Sequence, residues 1–334
     1  MGIRRSVSLY SLQEPYYLGK MNLEDCIAAV KNQIGADGIE LLIDEMPFPS
    51  IRSEDRQISD EDLAIWKDYM QKYDVFPAAY DTTFFTTWYA NRHLTNREHV
   101  YWIKKDLQTC ARMGFPVYRT GIMRHEDIEI MSECFEFAEQ LGVQIATEVH
   151  TPRGLHTWWT QDFLNEIEKK HADKSAGFVV DFAIFTTGMS LADKHLYLRQ
   201  GAKESLLNEI DQAYRAGQPL TKDQIEKAGG GKIEIGANDK LKASICDDPE
   251  WLGEVLPYVK HCHGKFYEMS EDCVEPSIDY EGPVNFLKKH NWDGVISSEY
   301  EGQRYYFEMG SKISMDPIEQ TRRHQMMLKR LIGE

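Results

Sequence analysis

The fold is indicated most directly by the stretch GVQIATEVH, residues 142–150. An amphipathic segment, Glu126–Leu141, precedes this stretch, and Gly142 stands where a helix would end. The apolar run that follows has the length of a short strand, and polar residues, Glu148 and His150, close it. A helix, a glycine, a strand and then polar side chains together form one repeating unit of an α/β fold.

The same arrangement recurs along the chain, with amphipathic segments between short apolar runs. The predicted strands are Ser6–Ser11, Gly38–Ile43, Phe76–Tyr80, Val117–Thr120, Val143–Val149, Gly177–Phe182, Val259–Phe266 and Gly294–Tyr300. The predicted helices are Leu23–Ile34, Asp60–Tyr73, Arg97–Met113, Glu126–Leu141, Asp162–His171, Pro249–Val255, Pro283–His290 and Pro317–Ile332. This alternation over 334 residues predicts an α/β fold, a (β/α)8 TIM barrel that forms a single domain across residues 1–334. A doubly wound sheet is the structural rival, but no G-x-G-x-x-G motif follows the first predicted strand.

A long insertion is predicted between strands six and seven. The interval far exceeds the roughly 30 residues of an average βα unit, so Met189–Asp248 is assigned to the insertion. It leaves from the C-terminal end of a strand, the side on which barrel active sites lie, and is predicted to be a lid or a subunit contact. A peripheral decoration is the alternative, since long loops cost little free energy.

The composition disfavours several classes of partner. Lys and Arg number 38 against 54 Asp and Glu, so the formal net charge is −16. An acidic surface repels phosphate backbones, which disfavours nucleic acid. No apolar run reaches the roughly 18 residues of a membrane-spanning helix, so no membrane partner is expected. The six cysteines are scattered without a C-x-x-C pair, which predicts a reduced protein of the cytoplasm.

Four late strands each carry a possible metal ligand near the C-terminal end: Glu148, Asp181, His263 and Glu299. Buried carboxylates are costly and would repel one another, and a divalent cation resolves both problems. Three oxygens and one imidazole nitrogen suit Mn²⁺ best, with Mg²⁺ or Co²⁺ as alternatives. His261 shares a face with His263, so the pattern leaves the choice of imidazole open. For any single carboxylate, a helix N-cap or a salt bridge is the more common role.

His150 is the predicted acid/base, because it shares a face with Glu148 and an imidazole titrates near neutral pH. Its alternative role is a hydrogen bond to a backbone carbonyl, or support of the metal site. Lys265 lies on the face of His263 and is a predicted substrate contact, with a surface ion pair as the alternative. Arg119 and Arg124, near the fourth strand, are weaker candidates of the same kind.

Two aromatic-rich segments, residues 80–89 and 156–159, are predicted to border the same end of the barrel. Their aromatic rings could stack on an aromatic ligand or on the faces of a sugar. A buried contact between helices or subunits is the equal alternative. The predicted substrate contacts in these segments are Phe84, Trp88, Trp158 and Trp159.

The order Glu, Asp, His, Glu on the last four strands resembles the xylose-isomerase-like sugar isomerase/epimerase superfamily. The segment DGIE, residues 37–40, also resembles the second strand of that superfamily. The resemblance implies that the second histidine of the H-x-H pair, His263, is the metal ligand. It also implies that Glu148 and Glu299 could move protons while they hold the metal ion.

Within that superfamily the chain resembles the catalytic alpha subunits of bacterial C-glycoside deglycosidases. The resemblance rests on SLYSLQ at residues 8–13, on Tyr16-Tyr17, on EVHTP at residues 148–152 and on HCHGK at residues 261–265. It implies a metal-dependent carbon–carbon lyase that cleaves 3-oxo-C-glycosides by C2 deprotonation and β-elimination. The products would be an aromatic, flavonoid-like aglycone and an unsaturated anhydro-ketosugar. A small beta subunit in a hetero-oligomer is the implied partner.

Two other functions remain open at this point. A Mn²⁺-dependent sugar isomerase or epimerase shares the metal site, but ketose epimerases of the superfamily usually have a histidine where this chain has Ile184. A non-catalytic scaffold or binding subunit is the alternative of another class, and retention of all four metal-type residues argues against it.

Overall fold

The computed structural model describes residues 2–52, 57–82, 92–305 and 315–334. Eight parallel strands close into a barrel in which every strand pairs with its sequence neighbours and β8 pairs with β1. The strands are β1 Arg4–Ser8, β2 Gly38–Leu42, β3 Phe76–Asp81, β4 Val117–Thr120, β5 Gln144–Val149, β6 Ala176–Asp181, β7 Val259–Phe266 and β8 Val295–Tyr300. The predicted (β/α)8 barrel is therefore confirmed.

Helices surround the barrel and fill the long interval between β6 and β7. They are α1 Gln13–Tyr17, α2 Leu23–Ala29, α3 Asp60–Tyr73, α4 Asn96–Met113, α5 His125–Ser132, α6 Phe135–Leu141, α7 Trp158–Lys170, α8 Leu191–Arg199, α9 Glu204–Arg215, α10 Lys222–Lys227, α11 Lys232–Lys242, α12 Leu252–Val255, α13 Glu281–Lys289 and α14 Pro317–Ile332. In the described ranges, none of them combines the length and the apolar character that a bilayer crossing requires.

The first strand differs from its prediction because the chain turns earlier than the apolar pattern indicates. Leu9–Leu12 is a 3-10 helix rather than the end of a strand. Ser11 in this turn donates a hydrogen bond to the Ser298 carbonyl at 3.2 Å and accepts one from the Tyr300 backbone at 2.9 Å. These bonds hold the turn against β8 and end the first strand at Ser8.

The helix predictions differ most from the structure in two places. The predicted helix Glu126–Leu141 is two helices, α5 and α6, which Glu133 and Cys134 separate. Helix α7 begins at Trp158 rather than Asp162, since Thr157 is the extended residue before its first turn.

The predicted insertion, Met189–Asp248, contains helices α8 to α11, and these have a hydrophobic core of their own. This core is formed by Met189, Leu206, Leu207, Ile210, Ile225, Ala237 and Leu241. The main core of the molecule lies between the barrel and its surrounding helices. The helices of the insertion therefore pack on one another and sit at the end of β6, on the C-terminal side of the barrel.

The barrel interior combines a thin apolar layer with polar side chains. The apolar layer consists of four small or branched side chains, Ala79, Val117, Ala146 and Val179. Towards the C-terminal ends, the strand register places Asp181 beside His263 and Lys265 beside Glu299. Paired residues of parallel strands point to the same side of the sheet. The register thus gathers charged groups inside one end of the barrel.

Candidate metal centre

Strands β5 to β8 bring four predicted metal ligands together. Glu148, Asp181, His263 and Glu299 each offer one ligand atom, and all four atoms lie within 4.8 Å of one another. All four residues are buried. His263 Nδ1 is 2.6 Å from Glu148 Oε1 and 3.4 Å from Glu299 Oε2. The fold therefore brings together residues that lie as far apart in the sequence as Glu148 and Glu299.

The structure distinguishes the two histidines of β7. His261 lies deeper in the barrel, where its Nε2 is 2.6 Å from Glu40 Oε2 and 2.8 Å from Ser297 Oγ. His263 is the histidine that reaches Glu148 and Glu299. The group of four therefore includes His263 and not His261, as the resemblance implied.

Glu40 on β2 is a site residue that the sequence analysis did not identify. It is fully buried, and its Oε1 lies 3.2 Å from His263 Nε2. His263 therefore lies between Glu40, which is near its Nε2, and Glu148, whose Oε1 is 2.6 Å from its Nδ1. A glutamate inside an apolar, buried strand was the available signal.

The carboxylates of the group respond differently to their surroundings. Burial raises the pKa of Glu299 to about 7, and nearby Lys265 and His263 only partly offset that effect. Burial also raises the pKa of Asp181. Burial opposes ionisation of Glu148 as well, but Arg119 and His263 outweigh it and hold the Glu148 pKa well below its usual range.

Two cations contact the group. Lys265 Nζ lies 2.9 Å from Asp181 Oδ2, 3.3 Å from Glu299 Oε2 and 3.5 Å from Glu301 Oε2. Burial disfavours the charged form of Lys265, but these carboxylates dominate and raise its pKa well above the ordinary value. Arg119 Nη2 is 2.6 Å from Glu148 Oε2, so this weak sequence candidate belongs to the site.

The donor set fits a divalent cation. Asp181 Oδ2 and Glu299 Oε2 are buried and accept no hydrogen bond, although Lys265 Nζ is close to both. Carboxylate oxygens that accept no hydrogen bond keep their lone pairs for a metal ion. Mn²⁺ and similar ions bind such oxygens together with an imidazole nitrogen. These buried acidic and histidine groups could therefore bind a divalent metal ion.

A cavity of about 640 Å³ opens above the group. Asp181, Glu299, Lys265, Arg119 and His150 all line it. A space of this size takes a small organic ligand and leaves the charged groups in contact with it. The cavity therefore has the room and the polar groups of a binding site.

His150 presents one ring nitrogen to a backbone carbonyl. Its Nδ1 is 2.7 Å from the Thr151 carbonyl oxygen. Because that oxygen only accepts, Nδ1 carries the hydrogen, and Nε2 of the neutral ring is the nitrogen with the lone pair. His150 therefore lines the cavity and also makes the backbone hydrogen bond that was its predicted alternative role.

Further polar residues at the cavity were missed by the sequence analysis. The Tyr10 hydroxyl donates to Glu301 Oε1 at 3.2 Å, and Arg304 Nη1 is 2.6 Å from the same oxygen. Glu45 also lines the cavity, and burial raises its pKa to about 7. Tyr10, Glu45 and Arg304 lie in turns or loops after β1, β2 and β8, where no periodic pattern identifies them.

The structure does not bring Trp158 and Trp159 to the cavity. Their ring centroids are 3.7 Å apart, and the ring of His125 stacks 3.7 Å from Trp158. The Arg153 guanidinium lies 4.6 Å from the Trp159 ring centroid. These contacts correspond to the packing alternative of the sequence analysis.

Three other candidates are placed as follows. Arg124 pairs with Asp127 at 2.8 Å in the first turn of α5 and does not line the cavity. Phe84 and Trp88 lie outside the described residues.

Comparisons with known proteins agree with this architecture. A family model described as xylose isomerase-like TIM barrel matches residues 27–331. The C-glycoside deglycosidase alpha subunit of Arthrobacter globiformis is 28% identical over 316 residues, which cover 89% of this chain and 84% of that protein. A 3'-dehydrocarminate deglycosidase alpha subunit from a Microbacterium species is 22% identical, with coverage of 99% and 96%. The names imply a partner subunit for these relatives.

Solved structures show the same barrel at low sequence identity. A sugar phosphate isomerase/epimerase from Parabacteroides distasonis has a TM-score of 0.58 at 12% identity, and the match covers 99% of this chain and 96% of that chain. A D-psicose 3-epimerase solved in the presence of D-fructose has a TM-score of 0.57 at 10% identity and covers 99% of both chains. At such identities the likeness concerns the fold alone.

Proposed function

The chain belongs to the xylose isomerase-like TIM barrel family, and from this premise we propose that it is the catalytic subunit of a carbon–carbon lyase. Its proposed substrate is a 3-oxo-C-glycoside, and its products are the aromatic aglycone and an unsaturated anhydro-ketosugar. The observation that carries the proposal is the buried group of four metal-type residues beneath a cavity lined by His150. Similarity to proteins named as deglycosidase alpha subunits supports the choice of substrate.

The proposed metal ligands are Glu148, Asp181, His263 and Glu299. Mn²⁺ is the proposed ion, with Mg²⁺ and Co²⁺ as alternatives, because the donor set is three oxygens and one nitrogen. An ion held by these residues would supply a Lewis acid, which stabilises negative charge on an oxygen such as the C3 oxygen of the sugar. Support for this set comes from its buried oxygens without hydrogen bonds.

The reaction balances without an oxidant. The C3 ketone of the substrate acidifies the hydrogen on C2, and its removal as a proton leaves an enolate. The enolate electrons then re-form the C3 carbonyl and create a C1–C2 double bond as the bond between C1 and the aryl carbon breaks. The aryl carbon keeps the bonding electrons and takes up a proton, which releases the free aglycone.

His150 is the proposed base for the C2 proton. Its backbone hydrogen bond through Nδ1 leaves the Nε2 lone pair for proton transfer. Glu148 and Glu299 are the alternative proton carriers, since Glu299 lines the same cavity and Glu148 lies beside Glu299 in the group of four. Lys265 is the proposed hydrogen-bond donor to the oxygen on which charge develops, and its place in the lining of the cavity supports this role.

A partner subunit is also part of the proposal. The relatives are named as alpha subunits, and we extend this to a small beta subunit in a hetero-oligomer. The insertion between β6 and β7 is a lid or the contact for that subunit. The free cysteines among the described residues suit the reducing cytoplasm as the location.

The first experiment incubates the purified chain with Mn²⁺ in two separate assays. One assay contains a 3-oxo-C-glycoside, and the other contains free ketoses. Release of the aglycone, followed by chromatography, supports the lyase. Epimerised ketose without aglycone release would identify an isomerase or epimerase instead. A protein that retains no metal and turns over neither substrate would indicate a scaffold or binding subunit.

The second experiment replaces His150 by alanine and measures both turnover and metal content. Loss of the base is expected to slow aglycone release by about 10²–10⁴-fold while the metal content stays the same. His156→Ala is the control, because His156 pairs with Glu254 at 3.0 Å and does not line the cavity. Unchanged turnover in His150→Ala would contradict the assignment, and loss of metal would make His150 a structural residue.

A further inference from the structure

A second cavity, of about 260 Å³, lies between the insertion and the mouth of the barrel. The insertion contributes Met189, Ala237 and Leu241 to its walls. Thr151 and Tyr267 line both this cavity and the cavity of the candidate metal centre. We name it the insertion cavity. The shared residues make it a side chamber of the proposed active site.

The lining of the insertion cavity suits an aromatic ligand. Met189, Ala237 and Leu241 belong to the core of the insertion and form an apolar wall. Tyr197 and Tyr267 add two aromatic rings. Thioether and aromatic groups make favourable contacts with a flat ring. An apolar cavity of about 150 Å³ already accommodates benzene, so this cavity has room for a larger ring system.

The boundary between the two cavities lies next to His150. The Thr151 carbonyl accepts the hydrogen bond from His150 Nδ1, and Thr151 Oγ1 donates to the Ala183 carbonyl at 3.2 Å. In the proposed substrate the aglycone is bonded to C1, the neighbour of the carbon that loses its proton. An aglycone therefore has to extend from a point close to His150, and the insertion cavity begins there.

A charged group at the edge of the insertion cavity can recognise a phenol oxygen. Lys240 Nζ lies 2.5 Å from Asp193 Oδ1 and 2.7 Å from the Tyr305 hydroxyl. An ammonium has three hydrogens, so a third remains for a ligand oxygen. Tyr305 itself lines the larger cavity, which places Lys240 where the two spaces meet.

We infer that the insertion cavity is the aglycone subsite and that it selects a phenolic aromatic group. The apolar wall packs against the ring system, and Lys240 donates a hydrogen bond to a phenol oxygen. This inference rests on the proposed function, because it assigns one part of the proposed substrate to a place. It also gives the insertion a direct part in substrate selection.

The test fills the insertion cavity by substitution and measures ligand binding. Ser244 lines the cavity and is half-buried, so Ser244→Leu narrows it. Ala243→Phe is a second filling variant at an exposed lining position, where folding is less at risk. Ser205→Leu is the matched control, because Ser205 is exposed on α9 and does not line the cavity.

The probe is 2-naphthol, a bicyclic phenol, and its affinity is measured by calorimetry. The filling variants are expected to weaken binding by at least about tenfold, because the buried ring contacts are lost. Ser205→Leu is expected to bind as the wild type does. For 3-oxo-C-glycosides, the kcat/KM ratio between bicyclic and monocyclic aglycones should fall in the filling variants alone.

The outcomes separate this inference from the proposed function. Equal 2-naphthol affinity in the wild type and in both filling variants would place the aromatic group elsewhere and overturn the inference. Absence of turnover on every 3-oxo-C-glycoside by the wild type would instead overturn the proposed function. Without that function there is no aglycone to assign, so the cavity would not be an aglycone subsite even if it binds 2-naphthol.

Discussion

At the scale of single residues, Glu40 illustrates how one buried carboxylate can determine which atom of a neighbouring histidine faces the metal centre. It contacts His261 Nε2 with one oxygen and His263 Nε2 with the other. The negative charge of Glu40 attracts the Nε2 side of both imidazoles, and His263 Nδ1 lies towards Glu148 and Glu299. Glu40 is therefore a positioning residue rather than a member of the four-residue group.

We expect Glu40→Gln to weaken metal binding while the protein stays folded. The amide carries no negative charge and replaces one carboxylate oxygen by an NH2 group that cannot accept, so the contacts with Nε2 of the two histidines weaken and His263 is held less firmly in its orientation. Loss of such a supporting contact typically costs about 10–100-fold in metal affinity. Calorimetric titration of the metal-free protein with Mn²⁺ measures the effect.

Glu45→Gln is the control for that titration. Glu45 lines the same cavity, but it is not among the groups near His263, so its removal should leave the Mn²⁺ affinity nearly unchanged. Equal affinities for the wild type and Glu40→Gln would show that Glu40 does not orient the ligand.

At the scale of elements, His324 joins α14 to strands β7 and β8. Its Nδ1 is 2.6 Å from Ser298 Oγ, its Nε2 is 2.7 Å from the Tyr280 hydroxyl, and its ring stacks on Phe266 with centroids 4.3 Å apart. Burial lowers the pKa of His324 to about 3. The folded protein therefore keeps this imidazole neutral at pH values where the unfolded chain protonates it.

Because the pKa of His324 is lower in the folded protein than in the unfolded chain, the folded protein is expected to lose stability as the pH falls. Below about pH 6.5 the unfolded state binds a proton that the folded state does not, so the free energy of unfolding falls as the pH falls. The contribution is fully present above about pH 6.5 and is lost towards pH 3 at up to about 1.4 kcal/mol per pH unit. Urea unfolding of the wild type and His324→Gln, at several pH values, measures the difference in slope.

The variant is expected to be less stable at neutral pH but less sensitive to acid. His171→Asn is the control, because His171 is exposed at the C-terminal end of α7 and its removal should leave the slope unchanged. Parallel curves for the wild type and His324→Gln would contradict this explanation.

Local patterns predicted the elements well where the sequence itself marks their ends. Strands β4 and β7 have their predicted bounds, and Gly114 and Gly142 end helices with positive φ angles of 82° and 70°. The break between α5 and α6 was missed, because Glu133 and Cys134 do not interrupt the amphipathic pattern. Neither residue is a strong helix breaker, so tertiary packing decides the break.

The site was predictable only as far as each residue could be placed on its own strand. The positions of Glu148, Asp181, His263 and Glu299 at strand ends were enough to predict the group, since a barrel brings the C-terminal ends of its strands together. The contact between Glu40 and His261 joins residues 221 positions apart, and no local pattern contains it. Trp158 and Trp159 were placed in a loop because the early start of α7 was not recognised.

At the scale of the whole molecule, the four-residue group connects half of the barrel. Its members come from β5, β6, β7 and β8, so a cation bound there would tie four adjacent strands together. In the protein alone, carboxylates of this group lie close to one another inside a buried space, and their mutual repulsion opposes folding. Metal binding should therefore stabilise the fold as a whole rather than one loop.

We expect Mn²⁺ to raise the unfolding temperature relative to protein treated with a chelator. A ligand that binds only the folded state contributes about 2.7 kcal/mol at 100 times its dissociation constant, which is a rise of a few degrees for a domain of this size. Calorimetric melting at constant pH and ionic strength measures the rise. The double variant Asp181→Asn/Glu299→Gln is the control, since it keeps the size of both side chains, removes their charges and should lose most of the response. Identical melting temperatures with Mn²⁺ and with chelator in the wild type would show that the four residues do not hold a metal ion, whatever their spacing.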